Sequence, residues 1–294
     1  MKLVLAIIAA TVFTYDYSLF ANAWVKNEGS YYTKLSMDET TVKNFLLQNL
    51  DINEVEESVQ FYGEWGLGLS NPTQFSLYTS RKTFIREERS GDLDRYEAAS
   101  LTDTKLIWKT RLFDISKYIE SPIGFLVSAS TGLVLATTPD EFALGNEAMR
   151  VDEVPNGKGY LLAVVDKGSN APLVGIQTTF LYGTMWLNAE FEHAKDYHGA
   201  FVDQKTAFSL GFGLPMNSWI QINHSIISSQ IEASALAGNA LNNLDDKTQQ
   251  TGASVGFTVW QGLAIEASYN YNTNITDIWS DWETVGLGLS YRSL

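Results

Sequence analysis

The sequence predicts an all-β chain, a transmembrane antiparallel up-and-down β-barrel of about 12 strands. Three observations carry that prediction. Apolar and polar residues alternate with period two along most of the chain, short and long connections follow one another in turn, and no long apolar run follows the N-terminal stretch. "GASVGFTVWQGLAIEASYNYN" (252–272) shows the pattern. Ala253, Val255, Phe257 and Val259 alternate with Ser254, Gly256 and Thr258. Beyond a tight "QG" link, Leu263, Ile265, Ala267, Tyr269 and Tyr271 alternate with Ala264, Glu266, Ser268, Asn270 and Asn272. Successive side chains of a strand point to opposite faces, so each half has one apolar and one small or polar face. The short link makes the two halves an antiparallel hairpin.

The chain opens with "MKLVLAIIAATVFTYDYSLFANA" (1–23). Lys2 supplies a positive n-region, Leu3 to Phe13 an apolar h-region, and Ala21-Asn22-Ala23 a small-x-small cleavage pattern, which together read as a secretory signal peptide. The apolar run is too short for the roughly 20 residues of a spanning helix. Residues 24–294 are then expected to form a single outer-membrane barrel domain.

Strand by strand, "GSYYTKLSMD" comes first. "EESVQFYGEWG" follows, with Val59, Phe61 and Trp65 opposite Gln60, Tyr62 and Glu64. "TQFSLYTS" sets Phe75 and Leu77 against Gln74, Ser76 and Tyr78, and "DTKLIWKTRL" sets Leu106, Trp108 and Leu112 against Lys105, Lys109 and Arg111. "PIGFLVSASTGLVL", "LVGIQTTFLY", "MWLNAEFEHAKD", "TAFSLGFGL", "WIQINHSIISS", the two halves of 252–272 and "ETVGLGLSYRSL" complete the set. Between them, "LGLSNP", "FDISKYIES", "YGT", "PMNS" and "QG" are the shorter links. "ETTVKNFLLQNLDINEV", "REERSGDLDRYEAASL", the stretch from Ala136 to Pro172, "YHGAFVDQK", "QIEASALAGNALNNLDDKTQQ" and "TNITDIWSD" are the longer ones. Outer-membrane barrels have short periplasmic turns and longer extracellular loops. "GKGYLLAVVDKGSN" (157–170) would break an even strand count and is assigned to the third extracellular loop.

Composition excludes several classes. There is no cysteine, hence no disulfide scaffold, thiol enzyme or Cys-based metal site. A formal charge of −14 argues against nucleic acid as a partner. No cofactor or metal site is expected.

The opening "AWVKNEGSYYTKLS", the "FYGEWGL" hairpin, "TDTKLIWKTRLF" and the "LNAEFE" and "SLGFGL" strands resemble, across the mature chain, a family of bacterial outer-membrane barrels described as transporters or meta-pathway phenol-degradation proteins. The resemblance implies passive or facilitated passage of small solutes, hydrophobic ones included, and carries no catalytic residues over. It also implies outer-membrane lipid and lipopolysaccharide as surroundings and the barrel-insertion machinery as a partner. Val285, Leu287, Leu289 and Tyr291 supply an alternating C-terminal strand, but Leu294 stands where such barrels usually end in an aromatic residue.

Strand parity assigns Lys34, Glu64, Lys105, Lys109, Arg111, Glu190, Glu192, Glu266 and Arg292 to the lumen. Gly211, Gly213, Gly256, Gly286 and Gly288 on the same faces leave room for long side chains. Such a lining either biases which solutes pass or pairs internally and plugs a narrow barrel. The second reading allows a non-conducting barrel acting through its loops in adhesion or envelope structure. An outer-membrane hydrolase is weaker: His224 and Ser225 are adjacent in a strand, face opposite ways, and cannot form the hydrogen bond that activates a serine. Glu192 and His193 fail as a metal pair for the same reason. A lipocalin-like soluble barrel would require the apolar face inside. Trp65, Trp186, Trp219 and Trp260 border the short turns, where aromatic residues concentrate at membrane interfaces; Trp65 has outward parity and the other three inward. The acidic loops read as solvated faces, or as sites sharing divalent cations with lipopolysaccharide.

This topology has a direct test. Cysteines placed at Ser90 and Asn243 should react with a membrane-impermeant thiol reagent on intact cells, and one at Asn217 should not. The reverse labelling would invert the barrel.

Overall fold

The computed structural model describes residues 25–43, 52–68, 72–88, 94–115, 123–139, 168–196, 201–231, 244–275 and 281–293. The signal-peptide stretch, Leu294 and residues 157–167 of the segment assigned to the third loop lie outside them. Among the described residues the alternating segments form thirteen strands: β1 (Tyr31–Lys43), β2 (Ile52–Leu67), β3 (Thr73–Glu88), β4 (Asp94–Leu101), β5 (Thr104–Asp114), β6 (Ile123–Leu135), β7 (Ala171–Tyr182), β8 (Met185–Lys195), β9 (Phe201–Leu214), β10 (Ser218–Ile231), β11 (Leu244–Trp260), β12 (Leu263–Asn274) and β13 (Asp281–Arg292).

Every pairing is antiparallel, and the sheet closes. β1 pairs with β2 on one side and with β13 on the other, with Leu35 opposite both Phe61 and Leu289. β4 and β5 lie end to end along β3, opposite 81–88 and 73–78 respectively. They make one stave interrupted at Thr102-Asp103, so thirteen segments give a closed barrel of 12 staves. The interruption is tied down. Thr102 N–H donates to the Ser80 carbonyl at 2.8 Å, and the Asp103 carboxylate accepts from the backbone N–H groups of Thr137, Thr138 and Gly168.

Period two sorts the side chains as the sequence predicts. Along β7, Val174, Ile176, Phe180 and Tyr182 are exposed on the outside, while Leu173, Gln177, Thr179 and Leu181 are buried inside. Leu35, Met37, Val255, Phe257, Ile265, Leu287 and Leu289 are likewise exposed outward. From Val174 to Tyr182 the apolar face runs about 27 Å at a ~3.4 Å rise per residue. At a tilt near 40° that face spans about 21 Å along the barrel axis, within the roughly 25 Å apolar band of an outer-membrane barrel. Water would not tolerate such a belt, and lipid requires it.

The short links gather at one end. Gly183 and Gly262 turn with φ of +57° and +80°, the left-handed region that glycine enters without strain. A Cβ on Gly262 would sit 2.2 Å from the Arg292 carbonyl, so this turn is also packed against the end of β13.

Toward the other end the strands run further than the alternation predicts. "REERSGDLDRYEAASL" (86–101), read as a loop, supplies the end of β3 and all of β4. β1 continues to Lys43, β2 starts at Ile52, β9 at Phe201 and β11 at Leu244, and the predicted links there are shortened accordingly. The physical reason is that the wall outlasts the bilayer. Glu39, Glu57 and Arg81 are exposed on its outer face, where a strand surrounded by water has no need of apolar alternation. Bulges make two smaller corrections. A register shift between Thr258 and Trp260 turns Trp260 outward, 68% exposed, against the inward parity expected of it. The shift between Arg111 and Phe113 puts both Leu112 and Phe113 outside.

Arginine at Val255, Phe257, Ile265, Leu287 or Leu289 near mid-bilayer should destabilise the barrel by about 2–4 kcal/mol. At Ser254 or Ser290, on the inner face, the effect should be much smaller. Equal losses for the two sets in a refolding titration would overturn the inside–outside assignment.

Candidate functional site

The inner faces of the staves bring the interior polar groups together, and they fall into three regions. At the turn end, the chain preceding β1 folds back among the inner faces of β2, β3 and β5. Lys26 N–H donates to Gln74 Oε1 at 3.0 Å, and Arg111 Nη2 donates to the Val25 carbonyl at 3.0 Å. Lys26 Nζ stands 3.6 Å from Glu64 Oε2 and 5.2 Å from the Tyr32 ring centroid. Burial lowers the Lys26 pKa, and the facing Glu64 carboxylate opposes that shift. Glu64 also accepts from Gln74 Nε2 at 3.0 Å and from the Tyr62 hydroxyl. Gly66 admits the segment, because a Cβ there would lie 1.7 Å from the Asn27 carbonyl oxygen. Arg111 pairs with Asp114 at 2.9 Å, an acid that the β5 bulge rotates onto the inner face.

Beside this cluster at the same end lies an interior apolar group of Leu126, Leu181, Trp186, Trp219 and Ala264. The two indoles lie over glycines of the adjacent strands. A Cβ on Gly211 would meet Trp186 at 2.0 Å, and one on Gly256 would meet Trp219 at 2.0 Å. These glycines therefore house tryptophans and not the charged side chains expected from sequence.

In the second region, along β1, β12 and β13, the glycines do hold charged groups. Lys34 crosses Gly288 to reach Glu266 at 2.9 Å, and Asp38 lies over Gly286 while accepting from Gln60 Nε2. A cavity of about 240 Å³ opens here, lined almost entirely by polar atoms.

The third region lies toward the loop end. Lys105 pairs with Glu192 at 3.1 Å, Lys205 with Glu190 at 3.5 Å, and Lys82 with Glu56 at 3.0 Å. A larger cavity of about 410 Å³ borders them, with Val134, Ala194, Phe201 and Ile227 on its apolar side. Between the regions, buried hydroxyl and amide groups bond to one another: Thr179 to Asn188 at 2.8 Å, Asn188 to Ser209 at 2.9 Å, and Gln177 to Ser130 at 3.1 Å.

The sequence-derived residues thus separate into distinct neighbourhoods. Lys34 meets Glu266; Lys105 meets Glu192; Glu64 meets Lys26. Lys109 is within electrostatic reach of Glu64 and Glu190. Arg292 ends β13 opposite Tyr32. Lys105, Lys109 and Arg111 do not face the acids of β8 and β12 as one ladder, since Arg111 has its own partner in Asp114. Lys26, Asp38, Lys82, Asp114 and Lys205 are absent from the sequence-derived set. Lys82 and Lys205 sat beyond the predicted strand ends, and Asp114 beyond an unforeseen bulge. His224 faces outward and bonds to Thr251 at 3.0 Å, whereas Ser225 faces inward toward Gln250.

No protein-family model and no curated protein matches this sequence. Among solved structures, the COG4313 outer membrane channel from Pseudomonas putida F1 has the same fold, with a TM-score of 0.62 at 7% identity over 92% of this chain and 98% of that one. The transport unit of the autotransporter AIDA-I from Escherichia coli aligns at a TM-score of 0.45 and 9% identity, over 98% of each chain. At these identities the likeness is one of fold.

Glu64→Ala should leave the Lys26 ammonium buried without its carboxylate, destabilising the barrel by about 3 kcal/mol. The paired change Lys26→Met with Glu64→Gln should be close to neutral. Urea unfolding in detergent micelles measures both, and equal losses for the two variants would show that the pair is not what holds the segment.

Proposed function

We propose that this chain sits in the bacterial outer membrane and passes small solutes through its barrel. The observation that carries the reading is the inversion of polarity: an apolar belt outside and an interior crowded with ion pairs, amides and hydroxyls. A barrel with only a structural role needs the belt but gains nothing from cavities of about 240 and 410 Å³ inside its wall. Nine residues, Lys34, Glu64, Lys105, Lys109, Arg111, Glu190, Glu192, Glu266 and Arg292, are proposed to line the solute path. Their partners Lys26, Asp114 and Lys205 belong with them.

Catalysis is not part of the proposal. The pair that sequence offered, His224 and Ser225, is divided between the lipid and lumen faces. Residues 24–294 act as one barrel unit behind a cleaved leader. Lipopolysaccharide around the extracellular wall and the insertion machinery at the C-terminal strand are the partners expected of such a unit. Solutes with apolar parts, as the family resemblance implies, would first meet the Val134, Ala194 and Phe201 side of the loop-end cavity.

The test is planar-bilayer conductance of the full mature chain. Lys105→Ala removes the cation facing Glu192 and should shift the reversal potential in a KCl gradient toward cation preference. A silent wild-type protein, correctly folded by its heat-dependent gel mobility, would favour the plugged barrel.

A further inference from the structure

We propose that the polar cavity against β1, β2 and β10–β13 is a binding site for an uncharged, hydroxyl-rich solute no larger than a monosaccharide. The inference rests on the passage reading above and deepens it. These six staves are consecutive in the sheet order, β2-β1-β13-β12-β11-β10, so the cavity lies against one continuous curved wall.

Charge is the first consideration. Lys34 is engaged by Glu266 at 2.9 Å, and Asp38 takes an amide hydrogen bond from Gln60. An anionic solute would have to displace Glu266 from Lys34 and would meet the Asp38 carboxylate, whose charge is held by a neutral amide and makes a small cation the competing occupant. The remaining polar groups, which are more numerous, are neutral. Gln60, Gln221, Asn223 and Asn270 present amides, and Ser254 and Ser268 present hydroxyls. Each amide both donates and accepts, and each serine does the same through one oxygen. A solute whose every hydroxyl must also donate and accept is the complement of that lining. Asn223 Nδ2 already bonds to Asn270 Oδ1 at 3.2 Å across β11, the kind of bond that a sugar hydroxyl can enter without leaving either amide unsatisfied.

Size and polarity agree. The volume of about 240 Å³ is roughly eight times the ~30 Å³ share of a water molecule in the liquid. That is below the roughly 300 Å³ where drug-sized pockets begin. Apolar lining is nearly absent here, in contrast to the loop-end cavity, so an apolar solute would strip water from amides without replacing its hydrogen bonds.

Proteoliposomes carrying the full mature chain test this, with influx of radiolabelled glucose, 1,6-hexanediol and methylammonium measured against concentration. Glucose influx should saturate in the millimolar range, while hexanediol influx stays linear. Asn223→Leu with Asn270→Leu should weaken glucose half-saturation at least tenfold and leave hexanediol influx unchanged. Ser254→Phe, which fills the cavity from the small-residue face of β11, should abolish saturation by a second route. Heat-dependent gel mobility confirms folding of each variant. Linear glucose influx unaffected by any variant would overturn the inference, leaving a wet lumen with no site. Saturation by methylammonium in place of glucose would overturn it in favour of a cation site at Asp38. No influx of any solute would instead remove the passage reading on which it rests.

Discussion

The pairing of β1 with β13 is the interaction on which everything else depends. Hydrocarbon offers no partner to a backbone N–H or carbonyl, so a sheet crossing a membrane must have no free edge. Here the ladder runs from Tyr32 opposite Arg292 to Lys43 opposite Asp281, joining residues 260 to 238 positions apart in sequence. It is extended at the turn end, where Ser293 N–H donates to the Tyr31 carbonyl at 3.0 Å and Tyr31 N–H donates to Ser293 Oγ at 2.8 Å. Closure converts a local property, the alternation of side chains along each strand, into a global one. Once the ends meet, odd and even positions become inside and outside everywhere.

That conversion explains how a chain with nearly a fifth of its residues charged can span a membrane without a spanning helix. The interior admits charge on the condition that each charge finds a partner. Lys34 and Glu266 pair across two staves and Arg111 and Asp114 pair along one, and where the Lys34 side chain lies flat the neighbouring stave carries Gly288. The glycines of β9, β11 and β13 are thus one half of a fit whose other half is Trp186, Trp219, Lys34 and Asp38. Partly solvated pairs such as Lys105 with Glu192 add little stability individually. Their consequence is electrostatic: they fix where positive and negative potential lie along the lumen.

Much of this was legible in the sequence because period two needs no tertiary information. The stave count, the lipid face of β11, β12 and β13, and the separation of His224 from Ser225 all follow from parity alone. What was not legible has two physical origins. A bulge adds one residue to one strand and reverses parity beyond it, which is why Trp260 is outside and Asp114 inside. The other origin is the end of the bilayer. Toward the loop end exposed Glu39, Glu57 and Arg81 stand on the outer face of β1, β2 and β3, so the apolar alternation fades while the hydrogen-bond ladder continues. The segment at Val25 and Lys26 has neither signal, because irregular backbone inside a barrel is specified by the groups waiting for it: Gln74, Glu64 and Arg111.

The interior is therefore not one environment. The wall from β3 to β9 carries the Lys105–Glu192 and Lys205–Glu190 pairs beside Val134 and Phe201, whereas the wall from β10 round to β2 carries the Lys34–Glu266 pair and Asp38 among a larger number of amides and hydroxyls. Under the proposed passage, a solute between them meets a field on one side and, on the other, exchangeable hydrogen bonds interleaved with the charges of Lys34, Glu266 and Asp38. Ion pairs change partners only when something of equal charge replaces them, but amides exchange with any hydroxyl, water included. The amides and hydroxyls of that second wall are thus the groups along which hydrogen bonds can be made and broken stepwise without exposing an unpaired charge. On the proposed reading, discrimination among neutral solutes belongs to those amides and hydroxyls, and discrimination among ions to the charged pairs of both walls.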